Sequence, residues 1–471
     1  MNRRDFLKSL GAGALATTAM AAGCDSPNQT QAEGFALGEV PTDKMTYRTG
    51  THGEKVSLLG FGFMRLPTVD PDDRQSDLDQ EAINQLTDYA IAHGLNLFDT
   101  SPRYCQARSE TSLGIALSRH KREDFLISTK LSNQSYDIWT REGSIKMFEE
   151  SFEKLQVDYI DFYMLHCIGL PARDNEGNEI DPMKAFYGRF IDNGILDFLI
   201  EQRAKGRIRN LGFSYHGDVK VFDEALAMHD KVHWDHVLIQ HNYINWQHAG
   251  ALAEKRGTGD ANSEYLYGEL AKRDIPVFVM EPLLGGQLAT LPKFAADELK
   301  QREPEQSLAS WAFRFAGQQP RILTVLSGMT YMEHLQDNLR TMSPHKPLTD
   351  EELAMLKDIA VRYAGISLIP CTNCQYCMPC PYGLDIPTIF AHYNKMVNEG
   401  NVITDDLAED APTEERRAYR KARRAFLVGY NRVVVPERQA DRCIGCGKCL
   451  PECPQQIDIP GKMLMIEEKS K

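Results

Sequence analysis

Between Met45 and Arg340 the chain repeats one pattern, a short continuously apolar run followed by a stretch with helical spacing. The runs are Ser57–Gly62, Asn96–Asp99, Phe125–Ser128, Tyr159–Leu165, Ile208–Ser214, His236–Gln240, Pro276–Met280 and Ile322–Leu326. Amphipathic segments such as Gln80–His93 and Phe148–Leu155 lie between them. Strands that are apolar throughout are covered on both faces, so the pattern predicts a parallel sheet wrapped by helices. Eight such units in about 300 residues suit an α/β fold of the closed (β/α)8 TIM-barrel type. An open doubly wound sheet is the alternative. It usually has fewer strands and a glycine-rich phosphate loop after the first. Gly60-Phe61-Gly62 lacks the third glycine of that loop.

Beyond the barrel, Pro347–Ala364 reads as a closing helix, with Thr349 as N-cap before Asp350, Glu351 and Glu352. Two more helical stretches follow at Ile386–Asn398 and Pro412–Tyr430. The second carries Arg416, Arg417, Arg420, Lys421, Arg423 and Arg424. These form either a solvated face or a docking patch for an acidic redox partner protein.

Composition narrows the class. Apolar residues make up 42% and charged residues 25%, as in a globular protein. A net charge of −13 argues against a nucleic-acid partner, which selects basic faces. Of the eleven cysteines, eight lie between Cys371 and Cys453 in two tight groups. A disulfide scaffold would spread its cysteines through a short secreted chain, so this grouping points to metal ligation.

The first group is Cys371, Cys374, Cys377 and Cys380; the second is Cys443, Cys446, Cys449 and Cys453. Each ends in Cys-Pro. In two-cluster modules of this spacing, three cysteines hold one [4Fe–4S] cluster and the fourth ligates the other. Cys371, Cys374, Cys377 and Cys453 would then share one cluster, and Cys443, Cys446, Cys449 and Cys380 the second. The octapeptide pattern C-P-x-x-[LI]-D-I-P occurs at Cys380–Pro387 and again at Cys453–Pro460, as expected of a pseudo-symmetric fold. The intervening helical stretch resembles the helical type of ferredoxin domain. Two structural zinc sites are the alternative, although zinc ribbons usually pair their cysteines across a longer loop.

The N-terminus resembles an export signal. Asn2-Arg3-Arg4-Asp5-Phe6-Leu7-Lys8 is similar to the twin-arginine motif, and the apolar stretch Ser9–Ala22 is too short to span a bilayer. Ala21-Ala22-Gly23-Cys24 resembles a lipoprotein cleavage box, which would make a lipid at Cys24 the protein's one membrane anchor. The resemblance implies a periplasmic or outward-facing anchored protein. The expected organisation is a signal and tether over 1–34, a barrel over 45–345, a linker helix over 346–364 and a small two-cluster ferredoxin-like domain over 365–471.

Active sites of such barrels sit at the C-terminal ends of the strands. Asp99, Lys130 and His166 stand there, with Tyr104 in the loop after Asp99. A tyrosine is a weak acid at neutral pH. A lysine ammonium beside it would lower its pKa, and an aspartate would keep that lysine charged. The motifs Asp99-Thr100-Ser101-Pro102-Arg103-Tyr104, Ser128-Thr129-Lys130 and Tyr163-Met164-Leu165-His166 resemble those of the aldo/keto reductase family, and the tail resembles its iron–sulfur branch. The resemblance implies carbonyl reduction or alcohol oxidation by hydride transfer, with NADP or NAD bound in extended form and a small carbonyl compound as substrate. It implies that Tyr104 is the general acid, that Lys130 and Asp99 tune it, and that His166 orients the substrate.

The resemblance also places the carboxamide of the cofactor at Ser214 and Gln240, its ring at Met280 and its adenine side at Asp337 and Asn338. The family's basic residues for a 2′-phosphate fall near Gly328-Met329 and His334, where no Lys or Arg stands. Cys105 and Cys167 follow Tyr104 and His166 directly, either as small fillers or as a redox-active or metal-binding pair. Two functions remain in view. One is an oxidoreductase coupled to two clusters. The other is an exported electron-transfer module whose barrel is a scaffold and uses no free nicotinamide.

Overall fold

The computed structural model describes residues 39–470 apart from 72, 74, 255–260, 367 and 402–410. The export and lipidation readings, which rest on Asn2–Lys8 and Cys24, lie outside the described residues. From Glu39 onward the chain forms one compact unit.

Eight strands close a parallel barrel: β1 (Leu59–Gly62), β2 (Leu97–Asp99), β3 (Leu126–Leu131), β4 (Ile160–Ile168), β5 (Ile208–Tyr215), β6 (His236–Gln240), β7 (Val277–Met280) and β8 (Ile322–Ser327). They pair in chain order, and β8 returns to β1. Each lies within about two residues of its apolar run, except that β3 and β4 extend to Leu131 and Ile168. Parallel pairing needs a crossover, and right-handed crossovers carry the helices to the outside. Helix α1 (Gln80–Ala92) is capped by Asp79, which accepts from the Ala82 N–H. Helix α2 (Arg141–Leu155) starts earlier than its apolar spacing predicts, because Thr140 caps it by accepting from the Gly143 N–H.

An antiparallel hairpin, Tyr47–Thr49 with Lys55–Ser57, precedes the barrel. Its Val56 packs with Leu97, Phe162, Met164, Leu238, Phe278 and Leu323 in the barrel interior. Leu97 and Leu323 stand at the starts of their strands, so this apolar plug closes the N-terminal end. The polar residues gather at the opposite mouth.

Helix α3 (Asp350–Ala364) opens with a full capping box between Thr349 and Glu352. Glu352 also takes the Arg314 guanidinium at 2.8 Å, which ties the helix to the barrel. The cysteine region is built on α4 (Ile386–Asn398), α5 (Thr413–Val433) and α6 (Ile459–Ser470). The octapeptide repeat now has a physical explanation. Its aspartates cap helices: Asp385 accepts from the Thr388 N–H and Asp458 from the Gly461 N–H. Its apolar positions, Leu384, Ile386, Ile457 and Ile459, fill one shared core with Phe390 and Phe426. Asn394 of α4 bonds both backbone groups of Ile369 and so holds the chain just ahead of Cys371.

Candidate active site and cluster ligands

Lys130 is fully buried. Its ammonium donates to Asp99 Oδ1 at 2.7 Å, to Asp99 Oδ2 at 2.8 Å and to the Thr100 carbonyl at 2.7 Å. The Ser128 hydroxyl also donates to Asp99 Oδ2 at 2.8 Å. Burial pushes the Asp99 carboxyl up, and the Lys130 charge pulls it back. With three acceptors on one ammonium, the pair is well satisfied, which a buried ion pair requires.

The Lys130 ammonium stands 4.9 Å from the Tyr104 ring centroid. A lysine charge alone would lower the phenol's pKa. Burial instead raises it well above its ordinary value, and Asp99 and Tyr376 add to the rise. Tyr104 is thus a protonated phenol at neutral pH, with a proton to give rather than a phenolate waiting to receive one.

His166 lies edge-on to Tyr104, with ring centroids 6.0 Å apart. Burial first, then the charges of Lys130 and Arg189, hold its pKa well below the usual histidine value. Its Nδ1 stands 2.6 Å from the Ser132 hydroxyl and 3.3 Å from the Gln134 amide nitrogen. An amide nitrogen only donates, so Nδ1 accepts and Nε2 carries the proton. A neutral imidazole of this tautomer can donate a hydrogen bond to a carbonyl oxygen.

Backbone strain gathers at the same mouth. Cys105, Gln106 and Ala107 have φ of 51°, 52° and 64°, and Cys167 has 52°. Non-glycine residues in this region cluster at functional sites. The Cys105 thiol donates toward the Met64 carbonyl at 3.5 Å. The buried Arg189 guanidinium, lowered to about 10 by desolvation, donates to the carbonyls of His166 at 2.6 Å and Cys167 at 3.1 Å. It fixes the end of β4.

The cysteines fall into two sets. Cys371, Cys374, Cys377 and Cys453 line one common pocket, walled by Phe390 and Ile459. Burial pushes the Cys377 thiol well up, and Cys374, Cys371 and Cys453 add to this. Cys449 is pushed up to about 11 by burial, with Cys443, Cys380 and Cys446 adding. The neighbours are therefore exchanged between the groups, with Cys453 beside the first three cysteines and Cys380 beside the second three. Among the described residues, no three His, Cys, Asp or Glu side chains converge closely enough for a single metal ion. The three-plus-one grouping of the thiols is the one expected of a two-cluster module.

The sequence profile of the aldo/keto reductase family matches residues 58–361, and that of a 4Fe-4S dicluster domain matches residues 370–457. The chain belongs to the aldo/keto reductase family. Against L-galactose dehydrogenase of Arabidopsis thaliana it is 36% identical over 137 residues, which is 28% of this chain and 41% of that protein. The match therefore spans about two fifths of that relative's length. Against the uncharacterized oxidoreductase YqkF of Bacillus subtilis (strain 168) it is 23% identical over 338 residues, 66% of this chain and 94% of that protein. The holo form of aldo-keto reductase AKR11C1 from Bacillus halodurans superposes with a TM-score of 0.51 at 22% identity, covering 67% of this chain and 96% of that one. That likeness is one of fold. The molecule is an aldo/keto reductase-type oxidoreductase barrel joined to a 4Fe-4S ferredoxin-like domain.

The positions that the family resemblance assigns to a nicotinamide cofactor have partners within the chain. Ser214 Oγ is buried and accepts from the Cys167 N–H at 2.8 Å. Gln240 Nε2 faces His216 Nδ1 at 3.4 Å. Asp337 accepts from the Ser307 hydroxyl at 2.6 Å, and buried Asn338 donates to Ser327 Oγ at 3.0 Å. Met280 ends β7 with no aromatic ring to stack on a nicotinamide. Of these positions, Met280 departs most from what the resemblance expects of a dinucleotide site.

A residue that sequence reasoning missed stands at the mouth. Tyr376, between the ligands Cys374 and Cys377, lies half-buried beside the site, and the Arg103 guanidinium is 5.4 Å from its ring. Burial raises its hydroxyl well above the ordinary value, Cys167 and Cys374 add to this, and Arg103 opposes. Arg103 also pairs with Glu452 at 2.9 Å. A lone aromatic inside a C-x2-C step was the available signal in the sequence.

Proposed function

We propose that the chain interconverts a carbonyl and an alcohol at Tyr104, and that the electrons pass through two [4Fe–4S] clusters held by the cysteine sets. The observation that carries this is the buried Lys130–Asp99 pair beside a protonated Tyr104, with a residue of the cysteine loop at its edge. Carbonyl reduction takes two electrons and two protons. Each reduced cluster would supply one of the two electrons; Tyr104 gives the proton on oxygen, solvent water gives the proton on carbon, His166 Nε2–H orients the oxygen, and Lys130 stabilises the phenolate left behind. NAD(P)H as a hydride source has the weaker support, given the placement of Ser214, Met280, Asp337 and Asn338.

The proposal extends to partners and place. Arg416, Arg417, Arg420, Lys421 and Arg424 are exposed on α5, and Cys446 is the exposed member of the second set. That combination suits an acidic redox protein docking near the outer cluster. Residues 2–24 support export by the twin-arginine route, where a protein donor replaces the cytoplasmic nicotinamide pool.

The test starts from anaerobically purified protein. Iron and sulfide analysis should give about eight of each per chain for two cubanes. Aldehydes and ketones should be reduced with a reduced viologen as donor. Tyr104→Phe should lower that turnover by about 10²–10⁴-fold and leave the iron content unchanged. Turnover equal to wild type in Tyr104→Phe would favour the scaffold reading.

A further inference from the structure

The cysteine loop covers a second part of the barrel mouth that the acid–base residues do not use. Thr372 lies with its backbone against Gly285 in the turn after β7, and a Cβ on Gly285 would meet Thr372 Cα at 2.3 Å. The close approach is to backbone, so rotation of a side chain cannot relieve it. Across the mouth, the Arg65 guanidinium in the loop after β1 donates to the Thr372 carbonyl. The Arg65 side chain packs over Gly328, where a Cβ would meet it at 3.1 Å, and the Arg65 carbonyl accepts from Thr330 Oγ1 at 2.8 Å. Gln287 Nε2 donates to the Cys371 carbonyl at 3.0 Å, and Tyr363 holds Gln287 from behind at 2.8 Å.

Residues 371 and 372 therefore bridge the ends of β7, β8 and β1. Those ends lie between Met280 and Gly328-Met329, the two positions where the family resemblance puts the nicotinamide ring and the adenosine phosphate. Four residues on, Tyr376 continues the same loop to Arg103 beside Tyr104. The loop thus runs along the path a dinucleotide would follow, from the phosphate end to the substrate.

We propose that the loop Cys371–Cys377 stands in the groove where the family carries a free dinucleotide, so that the barrel's redox group is carried by the chain itself. The identity of that group as a cluster rests on the proposed function, whereas the occupancy of the groove does not. A tethered redox group needs no binding step and is present at a high effective concentration. The Arg65 guanidinium, the cation packed over Gly328, is taken up by the Thr372 carbonyl rather than left for a phosphate.

Two measurements test it on the full chain with its metal in place. In the first, NADPH and NADH are titrated against the protein and followed by tryptophan fluorescence and calorimetry. No saturable binding up to millimolar nucleotide is expected, and saturable binding in the micromolar range would overturn the proposal. In the second, Gly285→Ala is compared with Gly286→Ala. Both glycines have positive φ, 70° and 100°, so both substitutions carry backbone strain. Only the Gly285 methyl strikes the loop; nothing lies within 4 Å of the Gly286 position. Gly285→Ala should shift the g-values and broaden the lines of the dithionite-reduced electron paramagnetic resonance signal, and Gly286→Ala should match wild type. Identical spectra from the two variants would show that the loop is not seated on Gly285. Absence of carbonyl turnover, with both results as expected, would count against the proposed function and leave this inference standing.

Discussion

The two halves of the barrel mouth have been treated differently. The half formed by β2, β3 and β4 keeps a self-contained polar network: Asp99, Lys130, Ser128 and Thr100 satisfy one another without help from outside the barrel. The half formed by β7, β8 and β1 depends on the cysteine loop, through Gln287 with Cys371 and Arg65 with Thr372. Proton handling at an oxygen needs fixed donors and a fixed charge, which the first half supplies alone. The source of reducing equivalents is separable from it and can be changed without disturbing the acid. On the proposal above, the redox partner has been exchanged at one side of the mouth while the acid–base residues stay at the other.

The largest effect that would break this contrast is expected in the first half. Lys130→Met leaves the Asp99 carboxylate buried without its ion partner, which costs about 3–5 kcal/mol. Denaturant unfolding at pH 7 checks it, and a loss below about 1 kcal/mol would mean that the network is not self-contained.

A middle-sized effect comes from pH, because His166 in β4 and His216 just after β5 are both held neutral. His166 is held well below the usual value and His216 is lowered to about 4, both chiefly by desolvation. The unfolded chain takes up protons at these sites as pH falls below about 6.5, while the folded chain does not. Stability should therefore be highest above about pH 6.5. It should fall toward pH 4 by up to about 1.4 kcal/mol per pH unit for each histidine. His216→Phe should remove one histidine's share of that slope in unfolding titrations between these values. An unchanged slope would take His216 out of the account.

The smallest effect lies at the seam. Arg103 and Glu452 are each partly exposed, at 35% and 43%, so Glu452→Gln should cost less than about 1 kcal/mol. High salt should reduce the difference further. A cost of several kcal/mol would make this pair, rather than the loop on Gly285, the main attachment of the cysteine region to the barrel.

Much of the architecture was legible because it is written in local terms. His236–Gln240 reads as a strand and Ile386–Asn398 as a helix with the bounds the structure gives them, since apolar run, cap and proline all agree there. Asp99, Lys130 and His166 were readable because strand ends of a barrel point to one mouth. Tyr376 and Arg65 were not, because their neighbours are brought by packing across some 270 residues or more of chain. Arg65 finds Thr372 only after the barrel has closed. The Tyr104 pKa went the other way from the sequence argument for a related reason. The lysine was visible in the motif, whereas the burial that raises the phenol belongs to the whole mouth. The hairpin Tyr47–Thr49 and Lys55–Ser57 was also unread, because three-residue strands carry too little periodicity.

The exchange of Cys380 and Cys453 between the two thiol sets bears on the order in which the protein can be made. The first set waits for Cys453, the last of all eight, whereas the second is complete at Cys449 because its borrowed Cys380 comes earlier. While the polypeptide is being synthesised, the barrel strands are complete by Ser327, but the first set stays one thiol short until translation has passed Cys453. Loading of the inner site is therefore a late event, and a nonsense mutation just before Cys453 would leave a whole barrel with its inner site permanently one ligand short.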